Sequence, residues 1–461
     1  MKLNRTNYLL KNVGILTVSN FASKILVFLL VPLYTAALTT PEYGAYDLAV
    51  STVSLLYPIF TLNIVEAVMR FTMEKECSNE KVAIIGVKYL TISIILFSSG
   101  MIILNRFALW PDIHGLELFI SLYYISFIVN QFLIQFAKGL EKVRYLAIAG
   151  VFCTVITIAS NICFLLIFKW GLNGFFIANI VSQCSSALYL AFKIKIYTYL
   201  KNFSVDKGLE KEMLLYCIPL IATTLGWWVN STADKYVVTF MMGVASNGIL
   251  SVSYKIPQII NTLQGIFTQA WQISAIKEYG NEDTGRFYGR TFCIINVMMC
   301  AACSWLILLT KPLAKILYSN DFYQAWQYVP FLLIVSVLNC ASSLLGPILS
   351  AKKDTKTMMK SSLIGAFFNI IFNISFVYFI GVQGVTIATV ISSYIIYYIR
   401  IKAVKKEIIF EKYMIIPLTW FLLLIQAFIE IYVYNYILEI VLMIMMLILN
   451  IPYFRIVMSK K

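Results

Sequence analysis

Apolar residues along this chain come in long blocks separated by short polar connections. The blocks fall at 13–37, 44–68, 82–104, 115–138, 146–168, 171–193, 213–240, 246–271, 291–311, 328–350, 360–380, 382–400, 413–434 and 436–454. One helical crossing of a bilayer takes about 20 apolar residues. Each block is that long or nearly so, and the pattern predicts about fourteen transmembrane helices in an all-α integral membrane fold. Little chain is left for a soluble domain, since the longest polar stretch runs only from Lys193 to Glu212.

The connections are of two kinds that alternate along the chain: one rich in Lys and Arg, the other short and nearly free of them. Cytoplasmic loops of membrane proteins collect basic residues. With the N-terminus placed in the cytoplasm, only Arg106, Lys169, Lys311 and Lys315 of the 37 basic residues fall outside, and Lys24, Lys235 and Lys255 fall within the membrane. The rest lie on the cytoplasmic side. Adding or removing one helix would scramble this alternation downstream, so it supports both the helix count and the orientation. Both termini are expected in the cytoplasm.

An internal repeat is legible. Gly171-Leu172-Asn173-Gly174 matches Gly381-Val382-Gln383-Gly384, followed by Ile177-Ala178 with Ile387-Ala388 and by Ser182 with Ser392. Upstream, Asn161-Ile162-Cys163-Phe164 is similar to Asn373-Ile374-Ser375-Phe376, and the loop before Gly44 to the loop before Gly248. An even number of helices separates the partners, so the copies are parallel and related by a pseudo-twofold axis along the membrane normal. The expected organisation is an N-terminal lobe of helices 1–6 (1–195), a cytoplasmic linker (196–212), a C-terminal lobe of helices 7–12 (213–405) and appended helices 13 and 14 (406–461).

Polar residues recur in register within several of these helices. On helix 8, Ser251, Lys255, Gln258, Thr262, Gly265 and Gln269 share one face at about 100° per residue. On helix 2, Asp47, Ser51, Ser54, Pro58 and Thr61 do the same, and the repeat offset lays one stripe on the other. Helix 1 adds Thr17, Asn20 and Lys24, and helix 7 adds Thr223, Trp227, Asn230 and Asp234. Each of these four helices contains a proline (Pro32, Pro58, Pro219, Pro257), which removes a backbone hydrogen bond and kinks a helix. Kinked, polar-striped helices at equivalent places in two lobes predict a water-filled cleft. Ser, Thr, Asn and Gln also knit helices together without any cavity. Ionisable groups in hydrocarbon are expensive and point to function, which singles out Lys24, Lys255, Asp47, Asp234 and Lys235. Asp234 and Lys235 could equally pair near the surface, and Glu66 with Arg70, one turn apart, could be an ordinary interfacial pair.

Composition agrees with the pattern: hydrophobic residues make up 60% and charged residues 13%, against about half and a quarter in soluble domains. The net charge of +15 is accounted for by cytoplasmic loops, so no nucleic-acid partner is implied. Most of the nine Cys lie inside apolar runs and read as buried free thiols, including the CxxC-spaced Cys300 and Cys303. No G-x-x-x-x-G-K-[ST] phosphate loop occurs. The single histidine, His114, sits in an outer loop beside Pro111 and Asp112, so neither a metal nor any other cofactor is expected. No outer segment is long enough for a catalytic domain, and the chain is read as a non-enzyme.

Leu38-Thr39-Thr40-Pro41-Glu42-Tyr43-Gly44-Ala45-Tyr46, between helices 1 and 2, resembles the loop motif of bacterial polysaccharide exporters. These are the O-antigen and capsule flippases of the multidrug/oligosaccharidyl-lipid/polysaccharide exporter superfamily. Asn247-Gly248 with Ser253-Tyr254-Lys255, and Asp234-Lys235 late in helix 7, are also similar to the family. The resemblance extends over nearly the whole chain and implies a flippase of the bacterial cytoplasmic membrane. Its substrate would be an undecaprenyl-pyrophosphate-linked oligosaccharide, moved by alternating access. Lys24 and Lys255, with Arg70 near the cytoplasmic mouth, would attract the pyrophosphate; Asn20, Gln258, Gln269 and Trp227 would meet the glycan. Asp47, Asp234, Lys235 and Asn230 would gate the outer side or bind a coupling proton or sodium ion. Membrane lipids and polysaccharide polymerase or assembly proteins would be its partners. The alternatives are a multidrug or cation antiporter of the same superfamily, a peptidoglycan-precursor flippase and, as an enzyme, an integral-membrane glycan polymerase or ligase.

Overall fold

A computed structural model describes residues 24–74, 77–107, 110–201, 204–279, 283–352, 354–410 and 415–458. Among these, helix follows helix and no strand occurs. The first seven helices are α1 (Lys24–Ala37), α2 (Thr40–Phe60), α3 (Ile64–Thr72), α4 (Asn79–Phe107), α5 (Glu117–Gly139), α6 (Val143–Ile167) and α7 (Gly171–Ile194). The next six are α8 (Lys207–Met242), α9 (Val244–Ser253), α10 (Pro257–Glu278), α11 (Thr284–Leu308), α12 (Thr310–Leu317) and α13 (Val329–Ala351). The last four are α14 (Thr355–Ile380), α15 (Val382–Ala403), α16 (Ile415–Phe428) and α17 (Tyr436–Met458). Nine helices among the described residues are long and apolar enough to cross a membrane, and up to eleven if bent helices count as one span each. Shorter apolar helices make up the remainder, and among the described residues each apolar run overlies a helix or a broken helix.

Compactness divides the chain between Val229 and Asn230, inside α8, into two units. In the first, the TTPEYG segment starts α2 by a capping box. The Thr39 N–H donates to Glu42 Oε2 at 2.8 Å, the Glu42 N–H returns to Thr39 Oγ1 at 3.4 Å, and Pro41 occupies the first turn. Tyr46, Phe175 and Phe176 pack together behind it, and Phe97 stacks on Tyr124 with ring centroids 3.8 Å apart. In the second unit α13 is central: 89% of its apolar window is buried, against α10, α11 and α15. Helices α16 and α17 pack on α11.

The repeat has a structural counterpart. In each unit the helix pair flanking the GxxG turn, α6–α7 and α14–α15, is the most extensively packed pair. Gly171 and Gly381 open these turns with φ of +54° and +63°, a region L-residues avoid. The fourth residue is glycine for a different reason: a Cβ at Gly174 would lie 3.1 Å from the Phe164 carbonyl oxygen, and one at Gly384 2.4 Å from that of Phe376. Ser182 and Ser392 are both buried and donate to carbonyls three residues back, at 2.9 and 3.1 Å. Unit one takes two more residues from its Asn to its turn, Asn161 to Gly171 against Asn373 to Gly381. A π-helical stretch, Ile162–Ile167, precedes this longer turn.

The breaks in the two proline-containing helices fall at different places along them. Helix 2 breaks beyond Pro58, at Thr61 to Asn63, where Leu62 and Asn63 have φ of 50° and 54° and α3 leaves at 62° to α2. Helix 8 breaks at Tyr254 to Ile256, just before Pro257. On the repeat alignment that pairs Gly44 with Gly248, the second break comes more than two turns earlier.

Candidate functional site

In the second unit, the latter part of α8 brings Asp234 against the break between α9 and α10. Asp234 is buried; its carboxylate accepts the Tyr254 hydroxyl and, at 2.9 Å, the Lys235 backbone N–H. Pro257 has no N–H to continue the helix, and the chain turns through Tyr254, Lys255 and Ile256. Lys255 therefore sits half-buried on non-helical backbone next to the residue that holds Asp234. Before the break, buried Ser251 donates to Asn247 Oδ1 at 3.3 Å. Beyond it, Thr262 closes onto the Gln258 carbonyl at 2.8 Å, whereas Gln258 itself is exposed. An acid, a phenol and an amine are thus gathered at one helix interruption, an arrangement suited to holding a charged or hydroxylated group.

The first unit has its own polar region. Trp228 Nε1–H donates to the Ser51 carbonyl at 3.0 Å and to Ser54 Oγ at 3.1 Å, so these two stripe residues anchor α8 to α2. Asn63 Nδ2 reaches Thr224 at 3.5 Å, and Cys217 donates to the Asn63 carbonyl. Asp47 is half-buried on α2, and Lys24 is exposed at the start of α1. The suggested Glu66–Arg70 pair is not formed. Arg70 reaches forward to Glu74 at 2.9 Å on the exposed face, while Glu66 accepts from Gln135 of α5 at 2.8 Å. Spacing permitted either partner, and α5 decides by bringing an amide to the buried side. Asn20 lies outside the described residues. Trp227, Asn230 and Gln269 lie on α8 and α10, and their side chains are outside what is described.

Three features escaped the sequence pattern. Arg400, counted as a loop cation, is half-buried and donates to Ser361 Oγ and the Ser342 carbonyl at 3.0 Å and to Ser362 Oγ at 3.1 Å. Lys311, counted as an outer residue, is largely buried and lies 3.9 Å from Glu430. Glu430 and Glu439 are themselves fully buried. A tally of cations alone passes over them; a search for carboxylates inside apolar runs finds both. At the polar ends of the helices, the Lys81 ammonium holds the Asp206 carboxyl below its usual range at 2.8 Å. Glu407, at 2.7 Å, holds the Lys352 ammonium above its usual range. The nine cysteines are free, and Cys300 and Cys303 are buried, as the sequence suggested.

Two helical units, each with polar groups at a broken helix, make this an all-α, multi-pass membrane protein. The fold is similar to that of solved structures covering nearly the whole chain. One is "Lipid II flippase MurJ, inward closed conformation", at a TM-score of 0.69 and 15% identity over 96% of this chain and 99% of that one. Another is an inward-facing multidrug resistance MATE family transporter of the MOP superfamily, at 0.61 and 16% over 85% of this chain and 95% of that one. A third is a MOP superfamily transporter from Pyrococcus furiosus described as having reversed polarity of its binding pocket, at 0.55 and 15% over 86% and 96%. No curated protein matches the sequence. The family model described as "Polysaccharide biosynthesis protein" matches residues 9–272, more than half of the chain, and a MatE model matches residues 219–375. The chain belongs to the polysaccharide biosynthesis protein family, within the superfamily that its sequence motifs resemble.

Proposed function

We propose that the protein is a flippase that carries a lipid-linked oligosaccharide, an O-antigen or capsule repeat unit or one like it, from the cytoplasmic to the outer leaflet of the bacterial inner membrane. The observation that carries this reading is Lys255, on broken backbone beside Tyr254 and buried Asp234, in a chain of the polysaccharide biosynthesis family. Ionisable residues inside a membrane mark substrate and ion pathways. The pyrophosphate that links polyprenol to glycan is an anion that a lysine attracts, and charge attraction strengthens away from bulk water. Lys24 on α1 is the second cation of the reading, with Arg70 near the cytoplasmic mouth, released from Glu74 to meet incoming headgroup. Gln258, Gln269, Asn20 and Trp227 supply glycan contacts. Asp47, Asp234, Lys235 and Asn230 serve gating or coupling to a proton or sodium gradient. Transport proceeds by alternating access, with both termini cytoplasmic, and a polysaccharide polymerase receives the product. The protein makes and breaks no covalent bond.

Complementation of a deletion strain tests this directly. Loss of the gene removes one surface glycan, and Lys24→Gln and Lys255→Gln variants expressed at normal levels fail to restore it. Normal export by both variants removes these lysines from the mechanism. Two further readings have specific support. The MatE match over residues 219–375 favours a drug or cation antiporter, for which deletion would change drug sensitivity and leave surface glycan intact. Similarity to a lipid II flippase favours export of peptidoglycan precursor, for which deletion would be lethal.

A further inference from the structure

Helices α16 and α17 form a hairpin that turns at Tyr434 and Asn435. Glu430 and Glu439 flank this turn, and both are 0% exposed. Glu430 sits in a five-residue π-helical turn, Ile429–Val433, which ends in the left-handed Tyr434 at φ 57°. None of the four carboxyl oxygens has a side-chain donor of ordinary hydrogen-bond geometry, and the backbone N–H of Lys311 faces Glu430. The two carboxyl groups are close enough to interact electrostatically across the turn. Two ionised carboxylates present acceptors only, so such a contact is attractive only when one of them carries a proton.

The cation at the site is Lys311 of α12, whose Nζ lies 3.9 Å from Glu430 Oε2 with the side chain 15% exposed. It is held over the rings of Tyr434 and Trp326, at 3.7 and 4.5 Å from their centroids. Among the described residues the Tyr436 phenol also faces the pair, with Tyr323 beside it and Tyr434 under the Lys311 ammonium. Lys311 balances one carboxylate; a second, fully buried and without a donor, would stand uncompensated, which proteins avoid at a cost of several kcal/mol. A divalent metal finds too few ligands, since no group of three or more His, Cys, Asp or Glu suited to a metal occurs among the described residues. A pocket of about 340 Å³ opens alongside, lined in part by Gln324, Tyr328, Ile431 and Tyr432, the last two directly following Glu430.

We propose that Glu430, Glu439 and Lys311 form a proton-binding site at the turn of the C-terminal hairpin, in which the two carboxyl groups hold one proton between them at neutral pH. The site stands whether or not the protein moves glycans, because it needs no substrate.

Infrared spectroscopy of the purified full-length protein in lipid nanodiscs tests it. The wild type shows a protonated-carboxyl C=O band at neutral pH that shifts in heavy water, and the band is absent from the Glu430→Gln/Glu439→Gln double variant. In Lys311→Met the pair loses its cation and takes a second proton, so the band grows about twofold. Thermal unfolding of each variant verifies that it is folded, and the Lys311→Met gain keeps the test decisive should the double variant not fold. A band that is absent from the wild type, or unchanged in Lys311→Met, overturns the proposal. So does a wild-type band that disappears when potassium is replaced by sodium, which would make the ligand a metal cation.

Discussion

A Cβ built on Gly384 would lie 2.4 Å from both the carbonyl carbon and oxygen of Phe376. Backbone cannot yield there without opening the α14–α15 hairpin, so Gly384→Ala is expected to lower stability by about 1–3 kcal/mol. Thermal unfolding in nanodiscs reads the change, with Gly100→Ala as the comparison, because nothing lies within 4 Å of a Cβ at Gly100. Asp206 supports a second residue-scale expectation. Lys81 holds its carboxyl below the usual range in the folded protein. A depressed carboxyl contributes stability above its unfolded value and loses it as pH falls through the folded one. The melting temperatures of wild type and Asp206→Asn should therefore differ at neutral pH and converge in acid below the ordinary carboxylate range. Asp206 is solvent-exposed, so the difference is small and shrinks with added salt.

Between elements, buried polar groups decide which helices stay together. Arg400 of α15 ties to the α13 backbone at Ser342 and to Ser361 and Ser362 of α14 with three hydrogen bonds. A planar guanidinium reaches three acceptors at fixed angles; an ammonium on a flexible stem does not. Arg400→Lys is expected to cost about 1–3 kcal/mol, visible as a lower melting temperature at unchanged net charge. The C-terminal hairpin is held in a similar way. Trp420 donates to Asn296 at 3.2 Å, Ser304 donates to Gln426 at 2.7 Å, and Gln426 returns a hydrogen bond to the Ser304 carbonyl at 3.1 Å. These hydrogen bonds tie α16 to α11. In lipid, where tail contacts do not distinguish one apolar helix from another, such pairs give helices their partners.

At the scale of the whole molecule, the asymmetry of Lys and Arg predicts the orientation. Single cysteines placed at Lys315 and at Lys356 in a cysteine-free background should react oppositely with a membrane-impermeant thiol reagent applied to intact cells. Position 315 labels from outside, and position 356 labels only after lysis. Equal labelling of both would remove the orientation and, with it, the assignment of Asp234 and Asp47 to an outer gate.

Membrane residence, the helix sequence and the GxxG repeat were legible in the chain because bilayer thickness demands long apolar runs and a tight turn demands glycine. The break of helix 8 at Tyr254 to Ile256, which interrupts its polar stripe between Ser251 and Gln258, was not legible from residue period. Pairing was not legible. Spacing alone allowed Glu66 to take Arg70, yet α5 delivers Gln135 to Glu66 and leaves Arg70 to Glu74. Likewise Glu430, Glu439 and Lys311 are far apart or on different helices in sequence and meet only when α12, α16 and α17 pack. A one-dimensional pattern fixes which face of a helix is polar, because it depends on residue period. It cannot fix which polar group meets which, because that depends on the distances that helix packing sets.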